Sequence, residues 1–117
     1  MDNRLLGAFG EQTAARYLRE KGYNIISANF KARPGEIDIV ASKGGFICFV
    51  EVKTRQVGGM LPPSAAVGLD KQRNIKDTAA VYLSRYRYEL TRRFDIIEVT
   101  VDGSTLVSVN HIENAFQ

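Results

Sequence analysis

The stretch that decides the fold is residues 35–55, GEIDIVASKGGFICFVEVKTR. It contains two runs rich in β-branched and aromatic residues, 36–41 and 46–54, on either side of residues 42–45, Ser-Lys-Gly-Gly. Gly-Gly between two such runs is typical of a tight hairpin turn. The stretch therefore predicts two neighbouring antiparallel strands.

The turn also predicts which side chains meet across the two strands. With residues 44–45 at its centre, Asp38 lies opposite Glu51, and Glu36 lies opposite Lys53. Directly opposed residues share one face of a sheet, so carboxylates and an ammonium group are expected in one patch. A slip of one residue would break up this patch, because side chains alternate between faces along a strand.

Opposed carboxylates repel each other, so the patch needs a compensating cation. Asp38 and Glu51 offer the hard oxygen ligands that Mg²⁺ or Mn²⁺ prefers, and the backbone oxygen of Val52 is a further candidate ligand. Lys53 is placed to orient or deprotonate a water, or to stabilise negative charge on phosphorus. Spacing alone leaves a second interpretation open, a cross-strand salt-bridge network around Lys53.

A helix is predicted from Leu5 to Lys21, where apolar residues recur at spacings of three and four before Gly22. Glu11 lies on or beside the apolar stripe of this helix. An acid at a position that faces the core needs a partner, and a metal-bound cluster is one candidate. The alternative is a glutamate at the edge of the stripe that reaches solvent.

The remaining segments alternate between strand and helix patterns. We expect a first strand at 23–30, a loop at 56–63, a helix from about 70 to 87 capped by Ser64 or Asp70, and strands at 94–101 and 106–112. The fold class is therefore α/β, with a mixed sheet flanked by helices in a single domain over residues 1–117.

The composition is typical of a globular domain and argues against a membrane protein or a disulfide scaffold. Of the 117 residues, 44% are hydrophobic and 25% are charged, which is an ordinary globular balance. No apolar run approaches the ~20 residues of a membrane helix, and charges interrupt the first twenty residues, so we expect a cytoplasmic protein without membrane contact. Cys48 is the only cysteine and lies in an apolar run, which predicts a buried thiol and excludes a disulfide scaffold.

Charge is distributed unevenly along the chain. The net charge is +3, but residues 52–93 carry nine Lys or Arg against three acids, whereas residues 94–117 carry four acids and no Lys or Arg. A basic segment of this kind is consistent with DNA binding or with a solvated helix face. The candidate DNA contacts are Arg55, Lys71, Arg73 and Lys76.

Aromatic residues are interleaved with this basic segment. Tyr82, Tyr86 and Tyr88, together with Arg85 and Arg87, form an aromatic and basic mixture that fits stacking on bases or packing in the core. His111, the single histidine, shows no neighbour pattern of a ligand or base, and we interpret it as structural.

Several blocks of the chain resemble a known family. Residues 35–38 (Gly-Glu-Ile-Asp) and 51–53 (Glu-Val-Lys) are similar to the motif of PD-(D/E)xK nucleases. Together with residues 10–11, 49–55, 93–95 and 114–116, they resemble the small bacterial YraN/UPF0102 family, which is regarded as related to archaeal Holliday-junction resolvases.

The resemblance implies a restriction-endonuclease-like core in the order αβββαβ. It also implies Asp38 and Glu51 as magnesium ligands, Lys53 as the catalytic lysine, and Glu11 as the acidic residue that resolvase-like members carry on the first helix. The chain departs from the pattern at the proline-aspartate pair, because Gly35, Glu36 and Ile37 stand between Pro34 and Asp38.

The expected function is a magnesium-dependent endonuclease that hydrolyses phosphodiester bonds, with branched DNA as substrate and a homodimer as the active form. It would leave 5′-phosphate and 3′-hydroxyl ends. A DNA-binding or scaffold module that retains the acidic pocket without cleaving is the alternative. A small protein-interaction fold with incidental charges is a third possibility, and it predicts no salt-dependent DNA binding.

Overall fold

The computed structural model describes residues 2–58 and 67–117, which form a mixed five-stranded sheet with one helix on each face. The α/β class and the expected order of elements are confirmed. The elements are α1 (Asn3–Glu20), β1 (Asn24–Ala32), β2 (Gly35–Lys43), β3 (Phe46–Gln56), α2 (Leu69–Arg85), β4 (Thr91–Asp102) and β5 (Thr105–Phe116). Most of the loop predicted at 56–63 lies outside the described residues.

Strands follow one another across the sheet in the order β1-β2-β3-β4-β5. Every neighbouring pair is antiparallel except β3 and β4, which run parallel. Parallel neighbours cannot be joined by a tight turn, so the chain between them crosses one face of the sheet and includes α2. This crossover places α2 over the face that carries Glu51.

The predicted hairpin is confirmed at its turn. Lys43 pairs with Phe46, and Gly44 has a φ of +58°, a conformation that glycine adopts without steric cost. The ladder between β2 and β3 then continues only as far as the pair Ile39 and Val50. Beyond that pair the two strands separate, which is the feature that builds the candidate site.

Two apolar clusters hold the helices to the sheet. On one face, Ala14 and Leu18 of α1 share a cluster with Val50, and the buried Cys48 lies in that cluster as expected. On the other face, Ile75 and Tyr82 of α2 pack in a cluster with sheet residues that include Phe49 and Phe94. Alternate residues of β3 therefore face α1 and α2, as the strand pleat requires.

Helix α2 begins differently from the prediction. Its N-cap is Gly68, which makes no side-chain capping bond, and Asp70 lies inside the first turn. The expected cap at Asp70 is wrong, although an acid in the first turn still interacts favourably with the helix dipole; Ser64 lies outside the described residues. Neither α1 nor α2, the helices of residues 2–58 and 67–117, is long and apolar enough to span a membrane.

Candidate functional site

The gap between β2 and β3 is occupied by the side chain of Asp38. The backbone N–H of Val52 donates to Asp38 Oδ2 at 2.8 Å, in place of a ladder bond to β2. Asp38 and Glu51 are therefore close neighbours but not a ladder pair. Because the ladder between β2 and β3 ends before Glu36, the expected placement of Glu36 opposite Lys53 is wrong. The ladder partner of Glu36 is Lys31 of β1.

Glu51 is an acid in a buried position, with only 6% of its surface exposed. Burial, followed by the charge of Asp38, raises the pKa of Glu51 to about 7, and a hydrogen bond with Asp38 acts in the same direction. Lys71 and Lys53 oppose the shift, because their Nζ atoms lie 3.7 Å and 3.9 Å from the Glu51 carboxylate oxygens. Glu51 thus lies between a second carboxyl group and two ammonium groups.

Glu11 approaches Asp38 from the α1 side of the sheet. Its neighbour Gly10 lies so close to β3 that an added Cβ would be 1.7 Å from Thr54 Oγ1. The absence of a side chain at Gly10 therefore allows α1 to pack closely against β3. Glu11 Oε1 is buried without a hydrogen-bond partner, and burial, then the charge of Asp38, raises the pKa of Glu11. Glu11 and Asp38 line a cavity of about 290 Å³.

These positions divide the predicted site residues between the two faces. Glu51 lies on the α2 face with Lys71, and Glu11 lies on the α1 face. Asp38 and Lys53 are next to Glu51 and also line the cavity that Glu11 lines. Within residues 2–58 and 67–117, no three His, Cys, Asp or Glu side chains form one group that could hold a metal ion. The structure brings the two carboxylates together and leaves Glu11 across the cavity.

Two carboxylates match the protein contribution that Mg²⁺ usually takes, with water and phosphate oxygens as the other ligands. The repulsion between Asp38 and Glu51 is what a cation would relieve. The Val52 carbonyl faces the same gap as its N–H, because both groups of one residue point to the same side of a strand. The unpartnered oxygen of Glu11 adds an acceptor at the rim of the cavity.

The predicted DNA contacts spread outward from this site. Lys71 reaches Glu51 from the first turn of α2, with 45% of its side chain exposed. Arg73 is exposed and Lys76 is half-buried on the same helix. Arg55 follows Lys53 on β3, and its Nε atom is buried without a hydrogen-bond partner. Of these four, the structure places Lys71 at the carboxylate pair.

Glu98 is a site neighbour that the sequence reasoning missed. It pairs with Lys53 across the parallel strands β3 and β4, is 8% exposed, and has one carboxylate oxygen, Oε1, without a partner. The other oxygen, Oε2, accepts a bond from Asn110 Nδ2 at 3.3 Å. The sequence feature that could have revealed Glu98 is the presence of an acid within the apolar run Ile-Ile-Glu-Val of β4.

A second polar cluster, centred on Asp95, was also missed. Arg93 binds both oxygens of Asp95 at 2.9 Å and 2.8 Å, and His111 Nε2 lies 2.7 Å from Asp95 Oδ2. The backbone N–H of Asn114 donates to Asp95 Oδ1 at 3.0 Å, and Asn114 has a φ of +51°. Burial alone would raise the pKa of Asp95, but the bonds from His111, Arg93 and Asn114 lower it on balance.

The fold and the site define a small α/β protein whose central strands separate around a carboxylate pair, the buried Glu51 and the half-buried Asp38, flanked by lysines. Comparison with known proteins identifies the family. Residues 10–99 match the family model described as "Uncharacterised protein family UPF0102", and the chain belongs to this family.

Curated relatives cover almost the whole chain. A UPF0102 protein of Alkaliphilus oremlandii is 44% identical over 117 residues, which is 97% of this chain and 99% of the relative. UPF0102 proteins of Geobacter metallireducens and Syntrophomonas wolfei are 44% and 46% identical. They cover 100% and 97% of this chain, and 96% and 99% of their own lengths.

Proposed function

We propose that this protein is a magnesium-dependent endonuclease that hydrolyses phosphodiester bonds in DNA. The observation that carries the proposal is the carboxylate pair Asp38 and Glu51, held together where β2 and β3 separate and flanked by Lys53. A buried acid beside a second carboxylate is costly for the fold, so the presence of Glu51 next to Asp38 in a small domain favours a functional role.

Asp38 and Glu51 would hold Mg²⁺ or Mn²⁺, with the Val52 carbonyl as a further donor. When bound, the ion supplies Lewis-acid activation of water and neutralises charge on phosphate. Lys53, which already lies beside Glu51, would orient the attacking water or stabilise charge on the phosphoryl oxygens. Glu11 would accept a hydrogen bond from water in the cavity through its unpartnered oxygen.

DNA would approach the carboxylates along positively charged surface. Lys71 stands at the entrance beside Glu51, with Arg73 and Lys76 further along α2 and Arg55 further along β3. Branched DNA is the proposed substrate by analogy with the resolvases that the sequence resembles. A symmetric homodimer would present two sites to two strands of such a substrate.

A cleavage assay tests the catalytic role. Supercoiled plasmid and a synthetic four-way junction are incubated with Mg²⁺ or Mn²⁺, and wild type is compared with Glu51→Gln and Lys53→Met. We expect each variant to lose activity by about 100-fold or more, the size of effect typical for a lost acid-base or electrostatic group. Glu20→Gln, the same change at an exposed position of α1, is the matched control and should cleave as wild type does.

Metal binding is measured separately by thermal unfolding. A ligand that binds only the folded state stabilises it, by about 2.7 kcal/mol when present at 100 times its Kd. We expect Mn²⁺ to raise the Tm of wild type and to leave the Tm of Asp38→Asn unchanged. Wild type that gains no stability from Mn²⁺ and does not nick DNA, yet binds the junction in a salt-dependent way, would support the non-catalytic DNA-binding module instead.

A further inference from the structure

The C-terminal end of α2 carries an exposed aromatic and basic surface that the proposed cleavage chemistry does not use. Residues 84–89 are all exposed, and they include the run Arg-Tyr-Arg-Tyr at 85–88. Tyr86 is 49% exposed and Tyr88 is 37% exposed, whereas Tyr82, one helical turn before Tyr86, is 2% exposed. The structure thus separates one core tyrosine from two surface tyrosines. We call residues 85–88 the aromatic patch.

Both surface tyrosines rest against the buried ring of Tyr82. The centroids of Tyr82 and Tyr86 are 4.8 Å apart, and the Tyr88 ring lies nearly parallel to Tyr82 at 6.4 Å. A hydrogen bond with Tyr88 contributes to the raised pKa of Tyr82, after burial as the first cause. Tyr82 is itself held in the core by an edge contact with Phe49 at 5.9 Å. The exposed rings are therefore supported from below by packed side chains.

The arginines of the patch add positive charge beside these rings. The guanidinium of Arg85 lies 5.6 Å from the centre of the Phe30 ring, which anchors it over the end of β1. Arg87 lies between the two exposed tyrosines in sequence, and Glu89 is the one acid in the exposed run 84–89. Exposed aromatic rings next to arginines fit a ligand that has flat π faces and negative charge.

We propose that the aromatic patch binds single-stranded DNA by stacking unpaired bases on Tyr86 and Tyr88. Every base has a π face, so stacking tolerates any sequence, and the arginines contact the phosphates. A duplex fits this surface poorly because its base faces are already stacked on one another. The ligand that fits the aromatic patch is therefore an unpaired stretch of a DNA strand.

The position of the patch also narrows the substrate of the proposed nuclease, and this step rests on the proposed function. Tyr86, the C-cap of α2, is fifteen positions after Lys71 at the carboxylate pair, a distance of roughly 22 Å along the helix axis. That span equals roughly six base pairs of duplex rise. The favoured substrate class is a duplex with unpaired bases about six base pairs from the cleaved bond.

Fluorescence anisotropy with a labelled 20-nucleotide oligo-dT tests the patch in EDTA, where no hydrolysis occurs. We expect Tyr86→Ala and Tyr88→Ala each to weaken binding by at least about fivefold, the lower end of a lost base-aromatic stack. Tyr86→Phe, which keeps the ring and loses only the hydroxyl, should bind within about twofold of wild type. The full-length protein is used throughout, and Tm values confirm that each variant is folded.

The arginines are tested through salt dependence. We expect Arg85→Gln with Arg87→Gln to reduce the slope of log K against log salt by about 1.4, since each single-strand phosphate contact contributes about 0.7. Arg4→Gln with Arg16→Gln makes the same charge change at exposed positions on α1 and should leave the slope almost unchanged.

The outcomes separate this proposal from the nuclease proposal. The proposal that the aromatic patch binds single-stranded DNA is overturned if Tyr86→Ala leaves the affinity for oligo-dT unchanged. It is also overturned if Tyr86→Phe lowers that affinity as much as Tyr86→Ala does. Either result counts against the patch even if the protein cleaves DNA. Binding that shows the expected tyrosine pattern supports the patch even if no DNA is cleaved. Glu20→Gln, which removes one acidic charge at an exposed position of α1, should bind oligo-dT as wild type does. Binding of a 20-base-pair duplex that Tyr86→Ala weakens by the same factor as oligo-dT binding also contradicts the proposal.

Discussion

Asp95 illustrates at the residue scale how a buried charge is stabilised in this protein. Its carboxylate has no exposed surface, and it is bound by Arg93, His111 and the backbone N–H of Asn114. Tyr17 OH lies 3.3 Å from His111 Nδ1, so the network extends to α1. Removing one member leaves another buried polar group without its partner, which costs more than the net contribution of the pair.

Asp95→Asn is predicted to destabilise the protein by about 3 to 5 kcal/mol at neutral pH, the usual cost of breaking a buried ion pair. The folded-state pKa of Asp95 is lowered, so its contribution is present above the unfolded value near 4 and is lost as the pH falls through the folded pKa. Urea unfolding from pH 7 to pH 3 should therefore show a steeper acid loss in wild type than in the variant.

Asp102→Asn provides the matched control for this measurement. It makes the same change at an exposed position at the end of the same strand, β4. We expect a change in unfolding free energy within about 0.5 kcal/mol, as for most surface substitutions. Equal stability of the Asp95 and Asp102 variants at every pH would contradict the role assigned to the network.

At the scale of elements, the contact between α1 and β3 depends on the absence of a side chain at Gly10. A Cβ at this position would lie 1.7 Å from Thr54 Oγ1 and 2.8 Å from Thr54 Cβ, so the helix would have to move. One turn earlier, Gly7 has no atom within 4 Å of the equivalent Cβ position. Substitution by alanine is therefore expected to lower the stability of the protein at Gly10 but not at Gly7.

Gly10→Ala is predicted to destabilise the protein by about 1 to 3 kcal/mol, the range for overpacking a close contact. Gly7→Ala should be neutral or stabilising by up to about 1 kcal/mol, because alanine is the better helix former. Denaturant unfolding of both variants measures the difference. A Gly10→Ala protein as stable as Gly7→Ala would show that α1 does not approach β3 as closely as described.

At the scale of the whole molecule, β5 completes the core although it lies beyond the residues matched by the family model, 10–99. Phe116 stacks on Phe94 with ring centroids 5.2 Å apart, and His111 of β5 reaches Asp95. The strand therefore supplies both apolar and polar partners to β4. Residues 10–99 alone would leave one side of β4 unpaired.

A chain that ends at Asp102 is predicted not to fold, even though it keeps Asp38, Glu51 and Lys53. The shortened chain exposes Phe94 and leaves the buried carboxylate of Asp95 without His111. A domain of this size has too small a core to compensate for the stability lost at both positions. Circular dichroism and thermal melting test this prediction. Removal of Gln117 alone, an exposed residue, is the control and should not change the Tm. A cooperative melt of the shortened chain would contradict the prediction.

The sequence by itself determined the order of elements and the Gly44 turn, because periodicity and turn chemistry act over a few neighbouring residues. Its motifs also indicated the family, through their resemblance to known members. The sequence also predicted that Asp38 and Glu51 lie close together, although the ladder set by the turn ends one pair earlier, at Ile39 and Val50. The N-cap of α2 and the position of Glu36 were predicted wrongly, because loop geometry and the end of a ladder depend on packing.

Only the tertiary structure decided where β2 and β3 separate, which face each acid occupies, and which polar groups are buried together. Asp95 and His111 are 16 residues apart, Tyr23 and Arg93 are 70 apart, and no local pattern connects them. The same holds for Glu98 beside Lys53. These contacts arise when distant segments pack into one core, where burial sets the pKa values and the exposed surfaces that function requires.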